Sequence, residues 1–186
     1  MVLSVVIGRF QIPELTIGHQ RLLETAVNET PAKHLMVLVG SVGKVPSVTN
    51  PLPYAVRAAM IKRFVRNNCS SLTTLTVLPL VDQADDTLWM QSVETLVQGY
   101  VFAHGMSHAT YFSDPEGFIK HVKPKQGKII TLAPRSEYKR ATEIRGQLKD
   151  NPSLDSGEFR RGVIWATQNQ YPMVSPTVDI ACIDPS

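Results

Sequence analysis

Two apolar runs constrain this chain more than any other feature: residues 2–7 (Val-Leu-Ser-Val-Val-Ile) and residues 35–39 (Leu-Met-Val-Leu-Val). Neither shows the polar alternation of a strand with one wet face, and each stops at a glycine, Gly8 and Gly40. Such runs read as strands buried on both faces, the kind that parallel sheets covered by helices contain. Between them, Gly18-His19 opens an amphipathic stretch with Leu22, Leu23 and Val27 at helical spacing. The alternation then continues. A helix carries Ala55, Ala58, Ala59, Ile61 and Phe64, and a Thr-rich, β-branched strand at 72–78 is ended by Pro79. A helix capped by Asp85 or Asp86 runs to Gln98, with Trp89, Val93, Leu96 and Val97 on one face. Strands follow at 109–113 and 128–132, and helices at 115–122, 140–149 and 156–167. The expected fold is α/β: a Rossmann-like, doubly wound parallel sheet of about five strands with helices on both faces.

In such sheets a ligand binds beyond the C-terminal ends of the strands. Gly8-Arg9 and Gly40-Ser41 both fall there and are expected to share one site. Gly18-His19 adds a helix N-terminus, whose unpaired N–H groups and partial positive charge suit phosphate. The constellation reads as a place to hold a nucleotide, with His19 as a donor to phosphate and Arg9 as a permanently charged anion clamp; Arg145, early in its helix, is open to an anion contact or a solvated face. Thr142 is expected at or near a helix N-cap, its hydroxyl and N–H open to phosphate. Arg57 stands on a helix that also carries Arg63 and Arg66, so a solvated face and an anion contact are both open for it.

Composition narrows the partners. The 186 residues suit one domain with a sizeable core, and a net charge of +3 suits anionic small molecules but not a nucleic-acid surface. The apolar start is short and lacks a basic leader, so it reads as a core strand, and no stretch approaches a membrane span. Cys69 and Cys182 make no disulfide framework, which points to a reducing cytoplasm. His104 and His108 lie four apart, but Gly105 between them argues against a shared helical face and a metal site. There is no internal repeat and no low-complexity segment.

Set side by side, the motifs resemble the nucleotidylyltransferase superfamily, and most of all nicotinamide mononucleotide (NMN) adenylyltransferases of the archaeal and phage kind. Gly8-Arg9-Phe10-Gln11 with Thr16-Ile17-Gly18-His19 resembles that family's Gly-Arg-Phe-Gln-Pro-Phe-His-x-Gly-His opening. Gly40-Ser41, Asn50-Pro51-Leu52 and Arg57 resemble its Gly-Ser-Ala loop, Asn/Asp-Pro-Phe-Thr and Glu-Arg. Asp82 and Leu88-Trp89 resemble its Asp and Leu-Trp, and Thr142-Glu143-Ile144-Arg145 its closing Ser-x-Thr-Glu-Ile-Arg. The motifs keep their order from residue 8 to residue 145.

The resemblance implies attack of a mononucleotide 5′-phosphate on the α-phosphate of ATP, with Mg²⁺ travelling with the ATP and pyrophosphate leaving. Such a transfer asks for alignment and charge neutralisation rather than a protein nucleophile. Carried over residue by residue, it implies catalytic roles for His19, Arg9, Thr16 and Arg145. It implies ATP or phosphate contacts for Gly8, Phe10, Gln11, Gly18, Thr142 and Ile144, and NMN contacts for Ser41, Asn50, Arg57, Asp82 and Trp89. A flat aromatic face at Trp89 suits a cationic pyridinium, although its spacing with Val93 and Leu96 also fits a core residue. Asp82 fits either the carboxamide region or a helix cap. Relatives commonly assemble, so a homo-oligomer is implied, with ATP and NMN (or nicotinic acid mononucleotide) as its small-molecule partners.

Two departures stand out. Thr16 replaces the family's usual histidine; it can donate a hydrogen bond but carries no charge. The loop Ile12-Pro13-Glu14-Leu15 is longer than the archaeal spacing and looks like the form in fusions of the transferase to a Nudix hydrolase. Pro176-Thr177-Val178-Asp179-Ile180-Ala181 resembles the linker into such a hydrolase. The expected organisation is a transferase domain at 1–170 and a linker-like tail at 171–186, in a chain that either stands alone or belongs to a longer protein. Thr16 also occurs in pantetheine-phosphate adenylyltransferases, the enzymatic alternative; a catalytically weak nucleotide sensor is the other. A class I aminoacyl-tRNA synthetase shares a His-Ile-Gly-His motif but needs a longer chain and a Lys-Met-Ser-Lys-Ser-like loop.

Overall fold

Five strands lie parallel in one sheet of order β3-β2-β1-β4-β5: β1 (Val2–Gly8), β2 (His34–Val42), β3 (Thr74–Val81), β4 (His108–Ser113) and β5 (Lys128–Thr131). The computed structural model describes residues 1–29, 34–43, 46–69, 74–133, 140–150 and 159–168. Register is fixed by pairs such as Val5 with Met36, Leu3 with Ala109 and Leu35 with Leu75. The order turns back between β1 and β4, so the crevice of this sheet opens at their C-terminal ends.

Strand alternation sorts the apolar residues into two layers. One face of the sheet, with Val6, Leu35, Val37, Val39 and Phe112, packs against α1 (Ile17–Asn28) and α2 (Tyr54–Asn68). The other, with Leu3, Val5, Met36, Leu38 and Tyr111, packs against α3 (Asp86–Ala103). Ser4, the polar residue inside the first apolar run, is fully buried and donates its hydroxyl proton to the Ala26 carbonyl at 2.6 Å. The cost of burying that hydroxyl is thus offset, and β1 is tied to α1.

Two further helices, α4 (Ala141–Asp150) and α5 (Phe159–Gln168), pack on each other. Helix α5 buries Ile164, donates from Arg160 Nε to the Pro13 carbonyl, and donates from Gln168 Nε2 to the Val48 carbonyl at 2.6 Å. The longer 12–15 loop is therefore no floppy insertion: Ile12, Pro13 and Leu15 are all buried.

Four expectations need correction. Pro79 does not end its strand, which continues to Val81; β3 is an edge strand, where a missing N–H is tolerated. The helix expected at 115–122 is only a 3₁₀ turn at Phe118–Lys120, because Asp114 captures the local donors: its Oδ1 takes the Glu116 N–H and its carbonyl the Gly117 N–H. Leu96 is exposed, and the buried side of α3 is Met90, Val93, Val97 and Val101. Ala55 and Ala59 also face outward, while Arg57 is buried. The stretches at 72–73, 156–158 and 171–186 lie outside the described residues. No helix among those described is long and apolar enough to cross a membrane.

Ile61 is fully buried where α2 meets the sheet. Ile61→Ala is expected to lower the unfolding free energy by about 2–5 kcal/mol, read as a shifted urea midpoint with an unchanged slope.

Candidate active site

A cleft of about 730 Å³ opens at the C-terminal ends of β1, β2 and β4. Its floor is made by two strand ends held together by a buried cation. Arg57, 1% exposed, donates from Nη1 to the Arg9 and Gly40 carbonyls at 2.6 Å each, and from Nη2 to the Ser41 carbonyl at 3.2 Å. Asp82 completes the arrangement, accepting the Ser41 N–H and hydroxyl at 3.0 Å each. Burial pushes the Arg57 guanidinium below its ordinary range, and the Asp82 charge opposes that shift. Both clamped loops hold a strained residue: Phe10 has φ 51° and Ser41 has φ 55°. Gly8 makes room for the Phe10 ring, since a Cβ there would lie 2.9 Å from the ring edge.

The first turn of α1 forms one edge. Thr16 is its N-cap, with Oγ1 accepting the His19 N–H at 3.2 Å. The same oxygen lies 2.7 Å from His19 Nδ1. Where the Thr16 hydroxyl donates to Nδ1, the proton of a neutral imidazole sits on Nε2. The His19 ring also packs on Phe10, 5.0 Å between centroids. Desolvation by this packing pushes its pKa down to about 4, so at neutral pH His19 is an uncharged donor.

The first turn of α4 forms the opposite edge. Arg145 is buried and donates to the Gln11 carbonyl at 3.0 Å and to Thr142 Oγ1 at 3.3 Å. Burial lowers its pKa, and the neighbouring Arg9 charge lowers it further. Among the described residues, no carboxylate lies within 4 Å of either guanidinium. Two like charges beside each other, one of them buried, leave a strong positive potential at the cleft. Thr142 is exposed within the first turn, and the cap position before α4 belongs to Arg140.

The third wall is aromatic. Trp89, half-buried at the start of α3, stands 6.3 Å from Phe118 and tilted 48° to it; Phe118 in turn lies 6.2 Å from the core residue Tyr111. Phe118 is delivered by the tight turn after β4, where a Cβ on Gly117 would fall 2.3 Å from Ser113 Oγ.

The cleft thus gathers Gly8, Arg9, Phe10, Gln11, Thr16 and Gly18 from one motif, with His19 beside them. Ser41, Asp82, Trp89, Thr142 and Arg145 join them from the others. Three expected contacts lie elsewhere. Arg57 is spent beneath the floor, Ile144 is half-buried in α4 away from the lining, and Asn50 sits in the 46–53 loop, bonded to Ser47 and Thr49. Gln11 lines the cleft with its backbone while its side chain pairs with the Leu52 backbone at 2.8 and 3.2 Å. Asp114, Phe118, His121 and Arg140 also line the cleft, and sequence reading missed them. The Asp-Pro-Glu-Gly turn signal at 114–117 was the available clue to the first two.

Residues 5–175 match the cytidylyltransferase-like family. No curated protein matches the chain. Among solved structures, it is similar to a bifunctional NMN adenylyltransferase/ADP-ribose pyrophosphatase from Francisella tularensis complexed with AMP and a manganese ion. The TM-score is 0.69 at 19% identity, over 90% of this chain and 52% of that one. A second structure of the Francisella protein gives a TM-score of 0.64 with the same identity and coverage. The chain spans about half the length of these structures, and the likeness is one of fold.

Arg57→Ala strands three carbonyls and is expected to lower the unfolding free energy by about 2–4 kcal/mol in urea titration. Arg57→Lys restores less than half of that, because one ammonium does not span the three carbonyls. A second expectation concerns pH. The unfolded chain takes up a proton at His19 near 6.5, which the folded chain refuses until about 4. Stability from neutral His19 is therefore full above pH 6.5 and is lost as pH falls toward 4. Compared with His19→Asn, the wild type should lose urea resistance more steeply across that window; parallel curves would refute the neutral imidazole.

Proposed function

This chain belongs to the cytidylyltransferase-like family, and on that premise we propose that it is an NMN adenylyltransferase, joining ATP and NMN into NAD and pyrophosphate. The observation that carries the reading is the pair Arg9 and Arg145: two guanidiniums side by side on a cleft, one buried, with no carboxylate partner among the described residues. That arrangement is unfavourable until an anion enters, and it suits two phosphates brought together.

An oxygen of the NMN 5′-phosphate attacks the α-phosphorus of ATP in line, the bond from that phosphorus to the α–β bridging oxygen breaks, and pyrophosphate leaves with the electron pair. No protein group needs to form a covalent bond. Arg145 holds the transferred phosphoryl group against its neighbour, Arg9 draws the second anion in, and His19 Nε2 donates a hydrogen bond without taking up a proton. Thr16 keeps the imidazole in that tautomer. The Trp89–Phe118 wall offers its faces to a flat, cationic pyridinium. A flexible pantetheine arm gains less from such a wall, which favours the nicotinamide reading over that alternative.

Mg²⁺ belongs to the ATP in this reading. The cleft carboxylates are engaged: Asp82 with Ser41, Asp114 with its turn and Glu116 with Lys120. Among the described residues no three His, Cys, Asp or Glu side chains gather. The donor set fits an ion held mainly by nucleotide phosphates, where it neutralises charge on their oxygens. We place the reaction in a reducing cytoplasm and expect a homo-oligomer, checked by light scattering.

The test is a coupled assay with ATP, Mg²⁺ and either NMN or nicotinic acid mononucleotide. NAD formation is expected, with Arg145→Ala reducing kcat/KM by about 100-fold. Trp89→Ala should raise the KM for NMN by about tenfold and leave that for ATP within twofold. A folded wild type that binds ATP and makes no dinucleotide from either mononucleotide defeats the assignment.

A further inference from the structure

Residues 9–16 join β1 to α1 through a strap that belongs to no helix or strand, yet Phe10, Gln11, Ile12, Pro13 and Leu15 are all buried. Buried backbone polar groups need partners, and a chain outside regular structure supplies few of them itself. Here every second carbonyl is taken by a side chain from a helix. The Arg9 carbonyl accepts from Arg57 on α2 at 2.6 Å, and the Gln11 carbonyl from Arg145 on α4 at 3.0 Å. The Pro13 carbonyl accepts from Arg160 Nε on α5, and the Leu15 carbonyl from Gln20 Nε2 on α1 at 2.8 Å.

Arg160 is the one of these donors that neither lines the cleft nor clamps its floor; it is half-buried behind both. Its place follows from α4 and α5, which pack on each other. Arg145 reaches the strap from one of these helices and Arg160 from the other, at carbonyls two residues apart. The contacts close a ring, from α4 through Arg145 to Gln11, along the strap to Pro13, and back through Arg160 to α5. The side of that ring between Gln11 and Pro13 is stiff. Proline fixes its own φ and confines the preceding Ile12 to extended backbone. Ile12 is also fully buried, in the cluster that holds Phe10 and Leu15. A shift of Pro13 therefore carries Gln11 with it. Arg145 feels that shift, because its other bond, to Thr142, stays within α4.

We propose that Arg160 is a positioning residue for the transfer: by holding the Pro13 carbonyl it fixes the strap against which Arg145 rests, and so sets where the Arg145 guanidinium meets phosphate. The inference rests on the adenylyl-transfer reading, in which Arg145 holds the transferred group. In-line transfer depends on alignment, and displacing a clamp by about 1 Å costs on the order of 100-fold in rate. A hydrogen bond that touches no substrate thereby reaches the chemistry through one named residue, and that dependence is what separates it from a bond that merely adds stability.

The experiment is a double-mutant cycle. Arg160→Met keeps the apolar stem and removes the donor, and Arg160→Lys keeps a donor. Each is made in the wild type and in Arg145→Ala, and read as kcat/KM for NAD formation and as ATP affinity by calorimetric titration, with urea unfolding alongside. Arg160→Met is expected to lower kcat/KM about tenfold and ATP affinity about threefold, with Arg160→Lys within about threefold of wild type in kcat/KM. In the Arg145→Ala background, Arg160→Met should change either quantity by less than about twofold, because the residue it acts through is gone. Equal losses in both backgrounds overturn the proposal, since a general loosening of the fold does not depend on Arg145. So do wild-type kinetics and ATP affinity in Arg160→Met, or an Arg160→Met protein that is unfolded at the assay temperature, which marks a structural role. The ATP titrations need no acceptor nucleotide. A wild type that makes no NAD but shows the non-additive ATP cycle sinks the NMN reading and leaves Arg160 a positioning residue; a wild type that binds no ATP overturns both.

Discussion

Everything at the top of this sheet depends on Arg57. A buried guanidinium is costly to desolvate, and here that cost is offset by three carbonyls and the nearby Asp82. What the arrangement gains is geometry. The ends of β1 and β2 are separate in sequence and joined in the sheet only up to Val39, beyond which the β2–β3 register slips. One side chain converges on the backbone of both loops and over-determines it. That makes it possible for Phe10 and Ser41 to sit at positive φ, a conformation that bulky residues rarely hold unaided. The Phe10 ring then shields His19, so a clamp at the floor reaches the charge state of an imidazole on the wall.

The cleft divides its labour by wall. Positive charge is concentrated at α4 and in the β1 loop, where guanidiniums cannot lose their protons. The α1 edge contributes direction rather than charge: a threonine that caps the helix and orients a neutral imidazole. The aromatic wall contributes shape, with Phe118 close to Trp89 after a turn in which Gly117 packs tightly on Ser113 and Asp114. The first turns of α1 and α4 both lie on the lining, so two helix dipoles favour an anion between them.

Much of this was legible in the chain itself. The uninterrupted apolar runs identified the central strands β1 and β2, and glycines at their ends located the crevice. Arg9 and His19 were expected together from local pattern and Arg145 from the motif resemblance, and the fold brings all three onto one cleft. Arg57 was ambiguous because a helical arginine looks the same whether it points into water or under a loop; only the tertiary approach of two strand ends settles that. The 115–122 segment was misread because its apolar spacing fits a helix, while Asp114 and Gly117 commit the backbone to a turn first. Pro79 was read as a stop because sequence does not reveal which strand lies at the sheet edge. Phe118 escaped because it stands in no motif, and Arg140 because it departs from the serine of the motif it occupies; both reach the cleft through where the chain brings them.

Helix α5 holds the Pro13 carbonyl through Arg160 near its start and the Val48 carbonyl through Gln168 at its end. Those two loops flank the Gln11–Leu52 pairing behind the cleft floor. The helix therefore acts as a splint across two segments that the sheet alone leaves unconnected. A force or displacement applied to α5 is transmitted to both loops together, and through Gln11 to the carbonyl on which Arg145 rests. The position of Arg145 on the cleft and the seating of α5 are in that sense a single mechanical variable.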